Sequence, residues 1–222
     1  MKKLLRGIVE FQKKASQDQR ETFARLALGQ KPDALFITCS DSRVAVNVFA
    51  STDPGDLFVI RNVGNLVPPC GDAGKSESDE SEVAAIEFAL MNLNVADVII
   101  CGHSECAAMI GLAGGRESLK APHLKSWLRH GDAAYEKLKK LGKDSTHLEW
   151  HNQLSQFNVL QQVDHLSSYP LVEERIRAGT LHIHAWWFAI AEAKVYMYDE
   201  KEGRFVVIDD AVAERASKDL NH

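Results

Sequence analysis

The chain has 222 residues, is 45% hydrophobic, and carries 31 acidic against 26 basic residues for a formal charge of -5. That is enough apolar material for one sizeable core, and the scattered Lys and Arg residues give no basic footprint for nucleic acid or an anionic membrane. Arg6 and Glu10 interrupt the only apolar stretch near the start, and no later run approaches membrane-spanning length, so the chain reads as cytoplasmic. In that setting Cys39, Cys70, Cys101 and Cys106 are free thiols or metal ligands, not a disulfide framework.

Leu4, Leu5, Ile8, Val9 and Phe11 recur at helical spacing, and a second helical stretch runs from about Arg20 to Leu28 before "GQKP" stops it. Residues 1–28 are therefore expected to form an N-terminal helical arm that docks on a partner subunit. Three apolar runs follow, "ALFIT" at 34–38, "LFVIR" at 57–61 and "DVIICG" at 97–102, with helical patterns between them. This alternation predicts a parallel sheet in an α/β fold. The segment "CGDAGKSESDESE" at 70–82 reads as a polar loop leading into the helix "VAAIEFALMNL". From about Pro122 to Ala178 the pattern is helical, and "TLHIHAWWFAI", "AKVYMYD" and "RFVVID" read as strands joined by tight turns. The expectation is a single domain, 1–222: a mostly parallel central β-sheet flanked by helices, plus the arm.

The first and third strands both run out into chemistry-bearing residues, "CSDSR" at 39–43 and "GHSEC" at 102–106. In parallel α/β sheets ligands gather outside the carboxyl ends of the strands, near the point where strand order reverses. Cys39, His103 and Cys106 would there form a Cys₂His set suited to zinc, with the fourth tetrahedral position open. Taken singly, either cysteine reads as a small buried hydrophobe and the histidine as a helix cap; their joint occurrence after two strands points to metal. Cys101 reads as core and Cys70 as an exposed loop thiol, while His182 and His184 share a strand face without a third ligand. "HSE" at 103–105 matches part of the zinc deaminase signature, but no cysteine stands three residues after Cys70, so that reading fails on spacing.

With "GQKP", "CSDSRV", "PGDLFVIRNVGNLVPP" and "CGHSEC" in this order, the chain resembles the β-class carbonic anhydrases over nearly its whole length. The resemblance implies a zinc-dependent interconversion of carbon dioxide and bicarbonate, by attack of hydroxide generated at the metal. It also implies a homodimer or higher homo-oligomer with active sites at subunit interfaces. Cys39, His103 and Cys106 match the family's zinc ligands. Asp41 and Arg43 match its dyad, in which the guanidinium holds the carboxylate; released, Asp41 can become the fourth ligand. Gln30 matches a glutamine that donates to substrate, and Phe58 and Val63 match apolar pocket positions.

Three departures lie near that pocket. Ala107 stands where the family has glycine, a change that crowds substrate or meets a glycine-only backbone angle. The helix before the third strand opens on "ESEVAAIEF" in place of a glycine-rich turn, with Phe88 where tyrosine is common. The family's "HGW" becomes "HAWWFAI". Two further readings therefore stand beside carbon dioxide hydration: a hydrolase for carbonyl sulfide or carbon disulfide at the same zinc, and a non-catalytic zinc-bound oligomer.

Overall fold

The computed structural model describes residues 1–72, 74–76, 80–142 and 148–219, the last three through their backbone only. The arm forms two helices, α1 (Lys2–Lys14) and α2 (Gln17–Leu26). The start of α2 is set by a capping box: the Ser16 hydroxyl accepts the Gln19 N–H while the Gln19 side chain accepts the Ser16 N–H. That places it three residues ahead of the Arg20 start expected from apolar spacing. Neither helix buries a residue, and Leu4, Leu5, Ile8, Val9 and Phe11 are all exposed.

The three expected strands form as β1 (Ala34–Cys39), β2 (Leu57–Asn62) and β3 (Asp97–His103), and the C-terminal runs as β4 (His182–Ala189), β5 (Lys194–Asp199) and β6 (Arg204–Val207). They make one sheet in the order β2-β1-β3-β4-β5-β6; β2, β1, β3 and β4 pair in parallel, and β5 and β6 add antiparallel hairpins at one edge. The chain leaves β1 toward β2 on one side and returns to β3 on the other. The point where strand order reverses therefore lies between the carboxyl ends of β1 and β3.

The helices are α3 (Val46–Phe49), α4 (Ser81–Glu87) continuing into a π-helical turn Phe88–Asn92, α5 (Ala107–Ala113), α6 (Pro122–Trp127), α7 (Asp132–Leu141), α8 (Trp150–Ser167), α9 (Pro170–Arg177) and α10 (Asp210–Asp219). Among the described residues none is long and apolar enough to cross a membrane. In the loop expected at 70–82, Cys70 and Ser76 pair in an isolated bridge and Cys70 is half-buried, not exposed; residues 73 and 77–79 lie outside the described residues.

Both faces of the sheet are covered, which explains why β1 and β3 read as continuous apolar runs without alternation. Leu35, Ile37, Val98 and Ile100 point into a core shared with α4, α8 and α9, whereas Phe36, Ile99 and Cys101 point into a second core with Val44, Val46 and Phe188. Cys101 is core as expected: it is fully buried, and burial pushes its thiol up to about 12. Gly102 lets α8 approach β3 closely, since a Cβ there would sit 2.7 Å from Val159 Cγ2 and 3.3 Å from the Ser155 carbonyl.

Candidate metal centre

Cys39 ends β1, His103 ends β3, and Cys106 caps the N-terminus of α5 three residues later. The reversal in strand order thus delivers the three to one point, and all three are buried. Their ligand atoms lie within 4.8 Å of one another, the one such group of three among the described residues. The two sulfurs stand 4.0 Å apart; two thiolates on one tetrahedral zinc at ~2.3 Å each would be about 3.8 Å apart. His103 Nδ1 donates to the Ser104 carbonyl at 2.8 Å, which fixes the tautomer and leaves the Nε2 lone pair free. That Nε2 is fully buried with no hydrogen-bond partner. An unpartnered buried nitrogen costs free energy unless something electrophilic meets it.

The thiols give the same indication. Cys39 is lowered to about 4, chiefly by the hydrogen bond from Cys106 and further by the Gly64 N–H, 3.4 Å from Sγ. Cys106 is pushed up because ionising it would remove that hydrogen bond, leave a buried anion and set two anions side by side. One thiolate is thus stabilised by the protein, and a second needs a cation between the pair. Gly64 adopts φ +87°, and a Cβ there would meet Ala108 Cβ at 3.0 Å, so the amide that faces Cys39 sits on a turn that favours glycine. These residues fit a zinc ion: soft ligands, the expected sulfur spacing and a free imidazole nitrogen.

Asp41 occupies the open side of the group. Its Oδ2 is 3.9 Å from His103 Nε2, beyond hydrogen-bond length, and both its oxygens are held by Arg43, Nε to Oδ1 at 2.9 Å and Nη2 to Oδ2 at 2.7 Å. The Arg43 N–H also donates to Oδ1, at 2.9 Å. The Arg43 side chain above all holds the Asp41 carboxyl well below the usual carboxylate range, so it is an acceptor only. Arg61 reaches the same loop from β2, donating to the carbonyls of Asp41 and Val44 at 2.9 and 2.8 Å.

The remaining pocket positions divide into two groups. Val63 lines an open cleft of about 360 Å³ together with Ser40, Asn62, Glu82 and Trp127, and its carbonyl accepts the Trp127 indole N–H at 2.8 Å. Ala107 is the exposed first residue of α5, next to Cys106, and it is not among the residues with positive φ. The glycine-only angle that its position suggested therefore does not occur. Gln30, Phe58 and Phe88 are not brought to the metal group. Phe58 pairs with Leu35 while Cys39 pairs with Asn62; four residues of strand separate them, ~13 Å at ~3.3 Å per residue. Phe88 packs on Phe58, ring centroids 5.8 Å apart, and Gln30 is exposed before β1 begins. Of the two strand histidines, His184 is bound to Asp97 at 2.7 Å, away from any metal group.

The helical pattern expected at 122–178 includes α8, but sequence reasoning gave this helix no part in the site. Its Asn152, Ser155, Asn158 and Gln162 are buried and bond to the site loops: Asn152 to Glu105, Ser155 Oγ to the His103 carbonyl, Asn158 to the Gly64 carbonyl, and Gln162 Oε1 to the Val67 N–H. The signal was available, because those positions recur at helical spacing on one face.

A family model for carbonic anhydrase matches residues 34–195. A carbonic anhydrase from Synechocystis is 39% identical over 205 residues, covering 90% of this chain and 71% of that protein. The chain belongs to the β-carbonic anhydrase family. It superposes on the solved structure of the β-carbonic anhydrase CcaA with a TM-score of 0.85 at 37% identity, covering 94% of this chain and 99% of that one. It is also similar to a structure of two tetrameric β-carbonic anhydrases from the ascomycete Sordaria macrospora, with a TM-score of 0.74 at 28% identity over 87% of this chain and 94% of that one. The chain is an enzyme of the carbonic anhydrase class, and hydration of carbon dioxide is the family's general activity.

Proposed function

We propose that the chain hydrates carbon dioxide reversibly to bicarbonate and a proton, at a zinc ion held by Cys39, His103 and Cys106. The observation that carries this reading is Asp41: an ionised carboxylate on the open side of the ligand group, kept 3.9 Å from His103 Nε2 by a two-pronged grip from Arg43. Zinc bound there would lower the pKa of a water from 15.7 toward about 7, making hydroxide available at neutral pH. As an acceptor only, Asp41 would accept a hydrogen bond from the attacking hydroxide and leave one of its lone pairs directed at substrate. Arg43 keeps Asp41 from filling the open position itself. Carbon dioxide carries no net charge and needs only an apolar wall, which Val63 and Ala107 supply. Hydroxide oxygen would add to carbon as one C=O π bond opens, giving bicarbonate, and the proton lost when water ionises would pass to solvent.

Gln30, Phe58 and Phe88 are assigned to the site of a second copy, reached across a subunit interface. The exposure of Gln30 and Phe88 and the uncovered apolar side of α1 support a homodimer or larger homo-oligomer. In this reading residues 1–222 are one catalytic unit with 1–28 as its arm, working in the cytoplasm. Stopped-flow hydration of carbon dioxide by the zinc-quantified protein tests the proposal. Turnover that disappears on chelation and returns with zinc is expected. Full zinc without hydration, or hydrolysis of carbonyl sulfide or carbon disulfide in its place, overturns it.

Ala107 gives a finer test. Its backbone is ordinary, so only its methyl can matter to substrate, and bicarbonate, planar and wider than carbon dioxide, meets it first. Ala107→Gly is expected to raise turnover with zinc content unchanged, while stability falls by about 0.5–1 kcal/mol because glycine is the poorer helix residue. A wild-type rate in that variant removes the methyl from the pocket.

A further inference from the structure

Glu105, between the ligands His103 and Cys106, adopts a left-handed backbone with φ +55°, a conformation that a residue with a side chain seldom takes. Three contacts from the first turn of α8 hold it there. Asn152 Oδ1 accepts the Glu105 N–H at 2.8 Å, Asn152 Nδ2 donates to Glu105 Oε1 at 2.8 Å, and His151 Nε2 lies 3.0 Å from Oε2. Asn152 is buried and Glu105 is exposed, so both bonds reach from the helix interior to the surface of the turn. The consequence appears on the other side of the turn, where the Glu105 carbonyl accepts Arg43 Nη2 at 2.9 Å. The same nitrogen holds Asp41 Oδ2. A rotation of the 105 backbone therefore removes the third point that orients the guanidinium.

From this geometry we infer that Asn152 is a positioning residue for the catalytic dyad: by clamping Glu105 in its left-handed turn it aims the Glu105 carbonyl at Arg43 and so sets the grip of Arg43 on Asp41. The inference rests on the reading of Asp41 and Arg43 as a gate beside the metal. It differs from a purely structural role in one respect. If Asn152 acts by holding a backbone angle, a residue that takes that angle freely makes it dispensable, and glycine at 105 is that residue.

The test compares Asn152→Ala, the double variant Asn152→Ala/Glu105→Gly and Arg43→Ala, each with its metal content, its carbon dioxide turnover and the visible absorption of its cobalt-substituted form. The cobalt spectrum reports the ligand field without requiring turnover. Asn152→Ala is expected to keep its metal, lose about tenfold in turnover and shift its cobalt spectrum toward that of Arg43→Ala, while the double variant recovers to within about threefold of wild type. A wild-type rate and spectrum in Asn152→Ala overturns the inference. So does a loss that Glu105→Gly does not rescue, or one that only follows loss of metal and fold. If Arg43→Ala itself matches wild type in rate and spectrum, the gate reading fails first and the inference falls with it.

Discussion

Cys106→Ser is expected to release most of the zinc from a protein that otherwise binds about one ion per chain. The hydroxyl is a neutral, hard donor where the site supplies a soft thiolate, and only the thiolate can neutralise the second positive charge of the ion. Loss of a group that merely orients a ligand already costs about 10–100-fold in affinity, so loss of a ligand costs more than about 100-fold. Cys106 is also the cap of α5 and packs with Met109 and Leu112, so the fold must be checked alongside the metal. Serine nearly matches cysteine in shape, and Cys39 remains beside it to share a hydrogen bond. The expected outcome is a folded protein by circular dichroism with little zinc by elemental analysis. Full zinc stoichiometry in this variant would show that Cys106 is not a ligand.

The metal set was legible in the sequence for a physical reason. In a sheet covered on both faces, strands are long apolar runs, and a run that breaks abruptly into Cys39, Asp41 and Arg43, or into His103 and Cys106, marks its carboxyl end. Two such breaks in strands that flank the reversal of order must meet. Gln30, Phe58 and Phe88 were expected by resemblance at the pocket, and within one chain they are not brought to the metal group. The sheet register places them at the other end of the strands, and sequence spacing carries no information about a second copy of the chain. The Glu105 turn was hidden because nothing in "HSEC" distinguishes a glutamate held at φ +55° from an ordinary loop residue. The role of α8 in the site was hidden for the opposite reason. Asn152, Ser155, Asn158 and Gln162 lower its apolar content and suggest a solvated face, yet that face is the buried one, and its polar groups satisfy backbone atoms of the loops that carry the ligands.

Arg43→Ala separates metal binding from turnover, because Arg43 is not a ligand and its guanidinium is half exposed. Removing it leaves the three ligands and their buried surroundings in place, so zinc stays at about one ion per chain. The carboxylate of Asp41 loses both side-chain hydrogen bonds and keeps only the backbone N–H of residue 43. Two outcomes then compete for it. Solvent can hydrate it, or, with Oδ2 already 3.9 Å from His103 Nε2, it can turn toward the ligand group and bind the cation. The second dominates, since Asp41 is mostly buried and an anion in that setting gains more from a divalent ion at contact distance than from partial hydration. With the open position taken by a carboxylate, water is excluded and turnover falls by about 100-fold or more, as it does when other preorganised donors of an active site are deleted. Arg43→Lys does not restore it, because an ammonium makes one contact where the guanidinium makes two in a fixed plane. The check is stopped-flow hydration beside zinc content and, for the position of Asp41, the cobalt spectrum. Wild-type turnover in Arg43→Ala would mean that the grip on Asp41 has no part in the reaction, and that the carboxylate is kept off the metal by the Asp41–Arg43 loop alone, which Arg61 braces from β2.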